Sequence, residues 1–165
     1  MSIDPQRLPP PPLPRSTQPP QVFPSPLPGV LALPPAATGR VFLLGIFTHT
    51  GVWPSADQSF THPGGVLVVG WNTSAFVSVA NSAITGQLVL DGVVVDSNTY
   101  FVNLANVHTP FPQKWAVFAA SQLNIPGAQS PVATGVHKHH LALTGTNGTS
   151  NGSDLGFTIV LALQP

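Results

Sequence analysis

Three of the chain's six histidines fall within four positions, in the stretch GVHKHHLAL. The stretch is typical of a β-strand, in which successive side chains alternate between two faces. His137 and His139 are therefore predicted to point to one face of the strand. Lys138 and His140 are predicted to point to the other face. Two imidazoles on one face could begin a zinc or nickel site, so this pair is the first candidate for chemistry.

A metal site would need at least a third ligand, for which His49, His62 and His108 are the candidates. Each lies in a segment expected to be a loop or a strand end, and no signature spacing connects it to the pair. In a trimer, one histidine near the threefold axis would also supply three ligands. The alternative is that the imidazoles line a strand end or a subunit interface and bond to backbone groups. This alternative is favoured, so no metal or other cofactor is predicted. If a metal were bound, His137 and His139 would be its candidate ligands.

Other catalytic chemistry is sparse in this chain. It has no cysteine and no glutamate, and its five aspartates form no motif typical of an active site. Neither a nucleophile elbow nor a phosphate-binding or dinucleotide-binding motif occurs. Trp53, Trp71 and Trp115 could form an aromatic platform for a sugar, although such residues more often lie in a core or an interface. Polar loop residues such as Asn103 and Asn106 would complete that platform. The protein is predicted not to be an enzyme.

The composition is unusually poor in charge. Charged residues make up 6% of the 165 residues, and five basic and five acidic side chains give a formal net charge of zero, whereas about 25% is typical. Nucleic-acid binding requires clustered Lys and Arg, so no nucleic-acid partner is predicted. No apolar stretch approaches the ~20 residues that cross a bilayer, and the N-terminus lacks a signal-peptide pattern. No membrane partner is therefore expected, and a neutral surface favours burial against other subunits.

The first 38 residues are predicted to form an extended proline-rich arm. Thirteen of the twenty prolines lie in the first 35 residues, and proline disfavours both helix interiors and central strands. An extended polyproline conformation is therefore expected. Apolar side chains punctuate the segment, which is typical of a strap that docks in a groove of a partner. The predicted docking residues are Leu8, Leu13, Val22, Phe23, Leu27, Val30, Leu31 and Leu33.

Residues 39–165 are predicted to form an all-β domain. Short segments rich in β-branched and aromatic residues alternate with turn residues, and none has a sustained helical period. Asp91-Gly92 predicts a type I′ hairpin turn. About eight strands favour an antiparallel β-sandwich of jelly-roll type, with an immunoglobulin-like sandwich as the alternative. The predicted strand segments are 40–47, 65–71, 75–80, the hairpin 86–96, 99–104, 114–120, 135–143 and 155–163.

Two of these segments, RVFLLGIF and GVLVVGW, are apolar on both faces. One face should meet the core, and the other must meet the second sheet, the arm or another subunit, because an exposed apolar strand would aggregate. The last segment alternates more cleanly. Its larger side chains, from Leu155 to Leu163, occupy the odd positions, and smaller ones, from Gly156 to Ala162, occupy the even positions.

The combination of arm and domain resembles small virion proteins of tailed phages and other viruses. In those proteins a jelly-roll or sandwich domain sits on a capsid, a vertex or a tail, and an extended arm ties it to its neighbours. The resemblance is architectural, with residues 1–38 as the arm and 39–165 as the domain. It implies a decoration, cement or minor capsid protein of the virion that forms homo-oligomers, often trimers, and binds a capsid, vertex or tail protein.

Two alternatives of other classes stay open. The first is a carbohydrate-binding β-sandwich that uses the tryptophans. The second is a small cupin-type metal-dependent enzyme that uses His137, His139 and another histidine. Proteins of that type usually add a carboxylate to the histidines, and none lies nearby in this sequence.

Overall fold

The computed structural model describes residues 39–145, 148–149 and 153–164. These residues belong to the second of two units of the chain, Ala36–Pro165. The predicted arm, with its docking residues from Leu8 to Leu33, lies outside the described residues. Within them, no helix is long and apolar enough to cross a membrane. The strands β1 to β11, in chain order, are Arg40–Thr50, Gln58–His62, Val66–Asn72, Ser74–Val77, Ser82–Leu90, Val93–Val102, Val107–Pro110, Lys114–Phe118, Gly135–Thr144, Gly148–Thr149 and Leu155–Gln164.

The strands form two four-stranded sheets and one smaller sheet. Sheet A has the order β1-β11-β3-β8, sheet B has the order β2-β9-β5-β6, and the small sheet has the order β10-β4-β7. All these pairs are antiparallel. Without the short strands β4, β7 and β10, the strands in chain order read 1-8-3-6 in sheet A and 2-7-4-5 in sheet B. This is the order of a jelly roll. The predicted antiparallel sandwich is confirmed, and the immunoglobulin-like alternative does not fit.

The hairpin at Asp91-Gly92 is confirmed and is longer than predicted. Both turn residues have positive φ, 50° for Asp91 and 81° for Gly92, as a type I′ turn requires. The pairing of β5 with β6 runs from Leu90↔Val93 to Ser82↔Val102. The prediction of a separate strand at 99–104 is therefore wrong, because the first residues of that segment are the end of β6. β6 is an edge strand, and edge strands tolerate the polar residues that suggested a break.

Three strands are absent from the predicted set: β2, β7 and the two-residue β10. β2 has the sequence QSFTH, in which Phe60 and His62 are buried while Ser59 and Thr61 are exposed. That alternation is regular but too short and too polar to stand out from a loop. β7 is a strand of only four residues that ends at Pro110. A proline is tolerated there because β7 is an edge strand of the small sheet.

The main core lies between the inner faces of sheets A and B. Trp71 is its largest side chain and is 1% exposed. Its indole N–H donates to Asp96 Oδ2 at 2.8 Å, and Lys114 Nζ donates to Asp96 Oδ1 at 2.6 Å. The one polar atom of the tryptophan is thus satisfied at the edge of the core. The other buried members are Trp53, Phe60, Leu67, Val69, Leu88, Leu90, Ala116, Phe118, Leu141 and Val160.

Strand β11 of sheet A turns its larger apolar side chains outward. On β11, Thr158, Val160 and Ala162 face the core and are all 0% exposed. The alternate positions Leu155 and Phe157 are 49% and 43% exposed. The alternation predicted for this strand is confirmed, and the smaller set of side chains is the buried one.

Candidate functional site

Four histidines lie between sheets A and B, and they are called the inner histidine cluster below. They are His49 on β1, His62 on β2, and His137 and His139 on β9, with exposed fractions of 2%, 1%, 9% and 1%. The predicted alternation of β9 is confirmed, because both of its cluster members point inward. The cluster lies inside one chain, where β2 and β9 are neighbours in sheet B and β1 contacts β2, whereas the sequence predicts a strand end or a subunit interface.

A chain of hydrogen bonds joins two of these histidines. Nε2 of His139 lies 2.7 Å from Thr158 Oγ1, and Nε2 of His49 lies 3.0 Å from the same oxygen. Nδ1 of His49 lies 2.8 Å from Ser55 Oγ. These contacts place two imidazoles and two hydroxyls in one buried row.

A neutral imidazole carries one N–H and one bare nitrogen, so each ring of the row can donate through one nitrogen and accept through the other. The Thr158 hydroxyl has one proton and can donate to only one of the two Nε2 atoms, so the other histidine donates to Thr158. The Ser55 hydroxyl also accepts from the Leu141 backbone N–H at 3.1 Å.

The surroundings of both histidines favour the neutral form. Burial lowers the pKa of His49 to about 4, and the charge of nearby His140 lowers it further. Burial and then the charge of His49 lower the pKa of His139 to about 4. The rings also pack as aromatic groups, with centroids 4.8 Å apart for Phe47 and His139 and 5.4 Å apart for His49 and His139. These two histidines act as polar members of the core.

His137 is held differently, by a carboxylate and a carbonyl. Its Nδ1 lies 2.7 Å from Asp91 Oδ2, and its Nε2 lies 2.9 Å from the carbonyl oxygen of Ala133. Burial lowers the pKa of His137, but the bonds to Asp91 and Ala133 outweigh it, so the pKa is raised. Burial raises the pKa of Asp91, but bonds from the Lys138 backbone N–H and from His137 outweigh it, so that pKa is lowered.

Asp91 is a site residue that sequence reasoning did not connect with the histidines. Its turn role is visible in the sequence, because Asp-Gly predicts a hairpin. Its bond to His137 joins residues 46 positions apart, and no local pattern signals it. The same side chain therefore forms the hairpin turn and fastens that turn to β9.

His62 is the least satisfied member of the cluster. Among the residues that the structure describes, neither of its ring nitrogens has a hydrogen-bond partner. Burial and then the charge of His137, whose ring centroid lies 6.4 Å away, lower its pKa. Because a neutral imidazole always carries one N–H, His62 holds a buried donor without an acceptor.

The other two histidines pair with aspartates. Nδ1 of His108 lies 3.2 Å from Asp154 Oδ1, and Nδ1 of His140 lies 2.8 Å from Asp57 Oδ1. His108 is on β7, in the small sheet. Across the residues that the structure describes, no group of three or more histidines or carboxylates is arranged to hold a metal. The candidate pair on β9 bonds to protein groups instead, through both nitrogens of His137 and through Nε2 of His139.

The three tryptophans do not form a common platform. Trp53 is 7% exposed and donates its indole N–H to the Ser74 carbonyl oxygen at 2.9 Å, and Trp71 lies in the core. Trp115 is 50% exposed and points outward from β8. Its six-membered ring covers Gly70, where a Cβ would lie 2.6 Å from Cζ3. Only this tryptophan of the three is available to a partner in solution.

The outward side chains of sheet A form a surface called the outer apolar face below. The strand register aligns them in rows across the sheet, with uncharged Thr48 and Asn72 beyond the last row. Ala119 and Ile125, from the loop after β8, pack on one corner of the face. Six of its residues are 43–64% exposed: Val41, Leu43, Ile46, Trp115, Leu155 and Phe157. The rows are Val41–Leu163–Val66, Leu43–Leu161–Val68–Val117 and Ile46–Ile159–Gly70–Trp115.

Comparison with known proteins adds little to this description. No protein-family model matches the chain, and no curated protein matches it. Among solved structures, it is similar to a chain described as "EclA C-terminal domain; sugar-binding protein", with 11% identity and a TM-score of 0.32. The alignment covers 71% of this chain and 77% of that chain. At that score, the likeness carries no argument about fold or function.

Proposed function

We propose that the protein is a structural virion protein of the capsid decoration, cement or minor capsid type. It docks on a capsid, vertex or tail protein through residues 1–38, and it stabilises or decorates the particle after synthesis in the host cytoplasm. The observation that carries the proposal is the outer apolar face. Soluble monomers seldom expose a continuous apolar surface, and such a surface is stabilised when another protein covers it.

The charge distribution supports the same proposal. The rows of the outer apolar face contain no charged residue, and the whole chain has a formal net charge of zero. Net charge near zero promotes association with other proteins. A component of a large assembly benefits from this property, whereas a protein that works alone in solution does not.

The fold itself does not choose between the proposed functions. Jelly rolls occur in viral capsid proteins, in lectins and in cupins, and a fold does not determine a function. The support therefore comes from where the side chains point. The histidines that a cupin-type enzyme would use bond to Asp91, Ala133 and Thr158 inside the sandwich.

Sedimentation of native particles tests the proposal. The full chain with a C-terminal tag is expressed in its native source, and the fraction that sediments with particles is measured. A full-length variant with Leu8→Asp, Leu13→Asp and Phe23→Asp should lose about tenfold or more of that fraction, because each change removes apolar contact area. The matched control carries the same three charges at polar positions, as Ser16→Asp, Gln18→Asp and Gln21→Asp, and should sediment like the wild type.

Two results would contradict the proposal. The first is a wild-type chain that never sediments with particles. The second is an apolar-position variant that sediments as well as the wild type, which would remove the docking role of residues 1–38. Cryo-electron microscopy of the sedimented particles then locates the domain on a shell, a vertex or a tail.

One observation favours a second candidate, a carbohydrate-binding β-sandwich. Trp115 presents a half-exposed indole beside Gly70, and flat aromatic rings can stack on sugars. A glycan screen tests this candidate with Trp115→Ala and Trp115→Phe. Binding that is lost with alanine and kept with phenylalanine would support it, and the absence of any retained glycan would contradict it.

A further inference from the structure

The outer apolar face has the chemistry of an interface between identical chains. We propose that it packs against the same face of a second copy, related to the first by a two-fold axis. The inference rests on the proposed assembly role, and it names both the surface and the partner. Its starting point is that Val41, Leu43 and Ile46 of β1 are 59–64% exposed on one face of a single strand.

The absence of charge from the rows matches a two-fold pairing. In such an interface the same patch of both copies meets, so each side chain lies near copies of its own neighbours. A lone charged side chain there would approach its own copy and repel it. The polar groups beyond the last row are the hydroxyl of Thr48 and the amide of Asn72. Asn72 Oδ1 accepts from the Phe157 backbone N–H at 2.9 Å. The Thr48 hydroxyl both donates and accepts hydrogen bonds, so it can pair with its own copy.

The two sheets differ in a way that points to one interface. The outer side of sheet B carries Lys138, which is exposed, opposite Ser59 of β2. On β5 and β6 it carries Thr85 and Thr99, whose hydroxyls lie 2.7 Å apart. This side also carries Phe101 and Val136, which are 77% and 72% exposed. They lie at opposite ends of the sheet, because Phe101 pairs with Ala83 of β5 and Val136 pairs with Thr61 of β2. The exposed apolar side chains of sheet A instead form continuous rows across its strands.

The size of the face sets the strength of the pairing. Four strands about 4.8 Å apart span about 19 Å, and ten residues at about 3.4 Å each give a length of about 34 Å. Only β1 and β11 reach that length, since β3 has 7 residues and β8 has 5. Stable interfaces take about 800 Å² from each partner. The loop residues Ala119, Ile125 and Ala128 cover one corner of the sheet. A dimer through this face lies at the small end of the range, and we expect a dissociation constant in the micromolar region.

Sedimentation velocity of the purified full chain tests the inference, from about 1 to about 200 μM, the range expected for a small interface. The wild type should form a reversible dimer. Ile46→Lys should weaken it by about thirtyfold or more, because two ammonium groups would enter an apolar interface. The matched control is Val93→Lys on β6 of the other sheet, since Ile46 is 64% exposed and Val93 is 63% exposed. The control should leave the dimer unchanged.

Tryptophan fluorescence gives a second measurement on the same samples. Trp53 and Trp71 are buried in the single chain, while Trp115 is half-exposed within the face. Pairing covers Trp115, so the emission of the wild type should shift to shorter wavelength as concentration rises. Ile46→Lys should remove that shift, and a thermal melt followed by circular dichroism confirms that this variant is folded.

Three results would overturn the inference: a wild type that is monomeric throughout, a trimer, or a dimer that Ile46→Lys leaves intact. If one of these results is found for a chain that still sediments with particles, the pairing is wrong but the proposed assembly role is unaffected. A dimer that Ile46→Lys breaks, in a chain that never sediments with particles, supports the pairing and overturns the assembly role. The two failures are thus distinguishable.

Discussion

The two faces of sheet A differ most along β11, where the arrangement expected of a sandwich strand is reversed. The inner face of β11 consists of small side chains, including Thr158 and Ala162, while the outer face carries the larger ones. The limited space inside the core explains why small side chains face inward on β11. At Gly156, for example, a Cβ would lie 2.6 Å from Leu141 Cδ1 and 2.9 Å from Trp53 Cη2. Large groups opposite leave room for small ones only. Hydrophobic alternation therefore separates two faces without telling which of them is buried.

The comparison of the two faces makes opposite predictions for mutations. Inner-face changes should alter the free energy of unfolding, and outer-face changes should alter association. Trp71 and Trp115 test this directly, since they lie on neighbouring strands of one sheet and point to opposite faces.

The largest effect is expected at the inner tryptophan. Trp71→Ala should lower the free energy of unfolding by about 3–5 kcal/mol, because it opens a cavity in the core and leaves Asp96 without its indole donor. Trp115→Ala should lower it by about 1 kcal/mol or less. Urea unfolding followed by circular dichroism measures both values. Equal losses would show that both faces are energetically part of a core.

The second-largest effect is expected on acidification, which should lower the free energy of unfolding through the histidines of the inner face. The pKa values of His49 and His139 fall from 6.5 in the unfolded chain to about 4 in the folded one. Between these values the unfolded state binds more protons, so the stability present above pH 6.5 is lost as the pH falls toward 4. The loss should be on the order of 3 kcal/mol.

Urea unfolding between about pH 4.5 and 8 checks this slope. The double variant His49→Phe, His139→Phe should remove it if it folds, and Thr158→Val serves as a milder alternative. His137 acts in the opposite direction, because its raised pKa adds stability below pH 6.5 that is lost above its folded value. A stability that is flat across this range would contradict the neutral, buried assignment of His49 and His139.

A stabilising mutation is expected at His62. Replacing it with leucine removes a buried N–H without an acceptor, so His62→Leu should raise the free energy of unfolding by about 1 kcal/mol or more. His139→Leu is the control and should lower it, because it breaks the bond to Thr158. If His62→Leu lowered the free energy of unfolding, the His62 ring would have to make a hydrogen bond that is not among those described above.

The smallest effect on stability is expected on the outer face of β11. Phe157→Thr should change the free energy of unfolding by under about 0.5 kcal/mol, because the side chain is 43% exposed. The same variant should reduce concentration-dependent association in sedimentation velocity. If Phe157→Thr instead lowered the free energy of unfolding by several kcal/mol and left association unchanged, Phe157 would belong to the core. The distinction between the two faces would then be wrong.

Local signals in the sequence were sufficient where one short pattern decides the structure. Asp91-Gly92 specifies a turn, and alternation along β9 places His137 and His139 on one face. The jelly-roll type followed from the number and length of the strands. The partners of the side chains did not follow, because the bond from Asp91 to His137 and the bond from His49 to Thr158 join residues 46 and 109 positions apart. β2 and β7 were missed because they are short, polar or end in proline.

The pairing of β1 with β11 has a consequence for synthesis of the chain. The first and last of the described strands align from Arg40↔Gln164 to Thr50↔Leu155. A ribosome adds about 5–20 residues per second, so the roughly 105 residues between Thr50 and Leu155 take roughly 5–20 s. During that time β1 has emerged without its neighbour, with apolar side chains on both faces and unpaired backbone groups. Sheet A cannot close until β11 has emerged from the ribosome, and the nascent chain is most vulnerable to aggregation in those seconds.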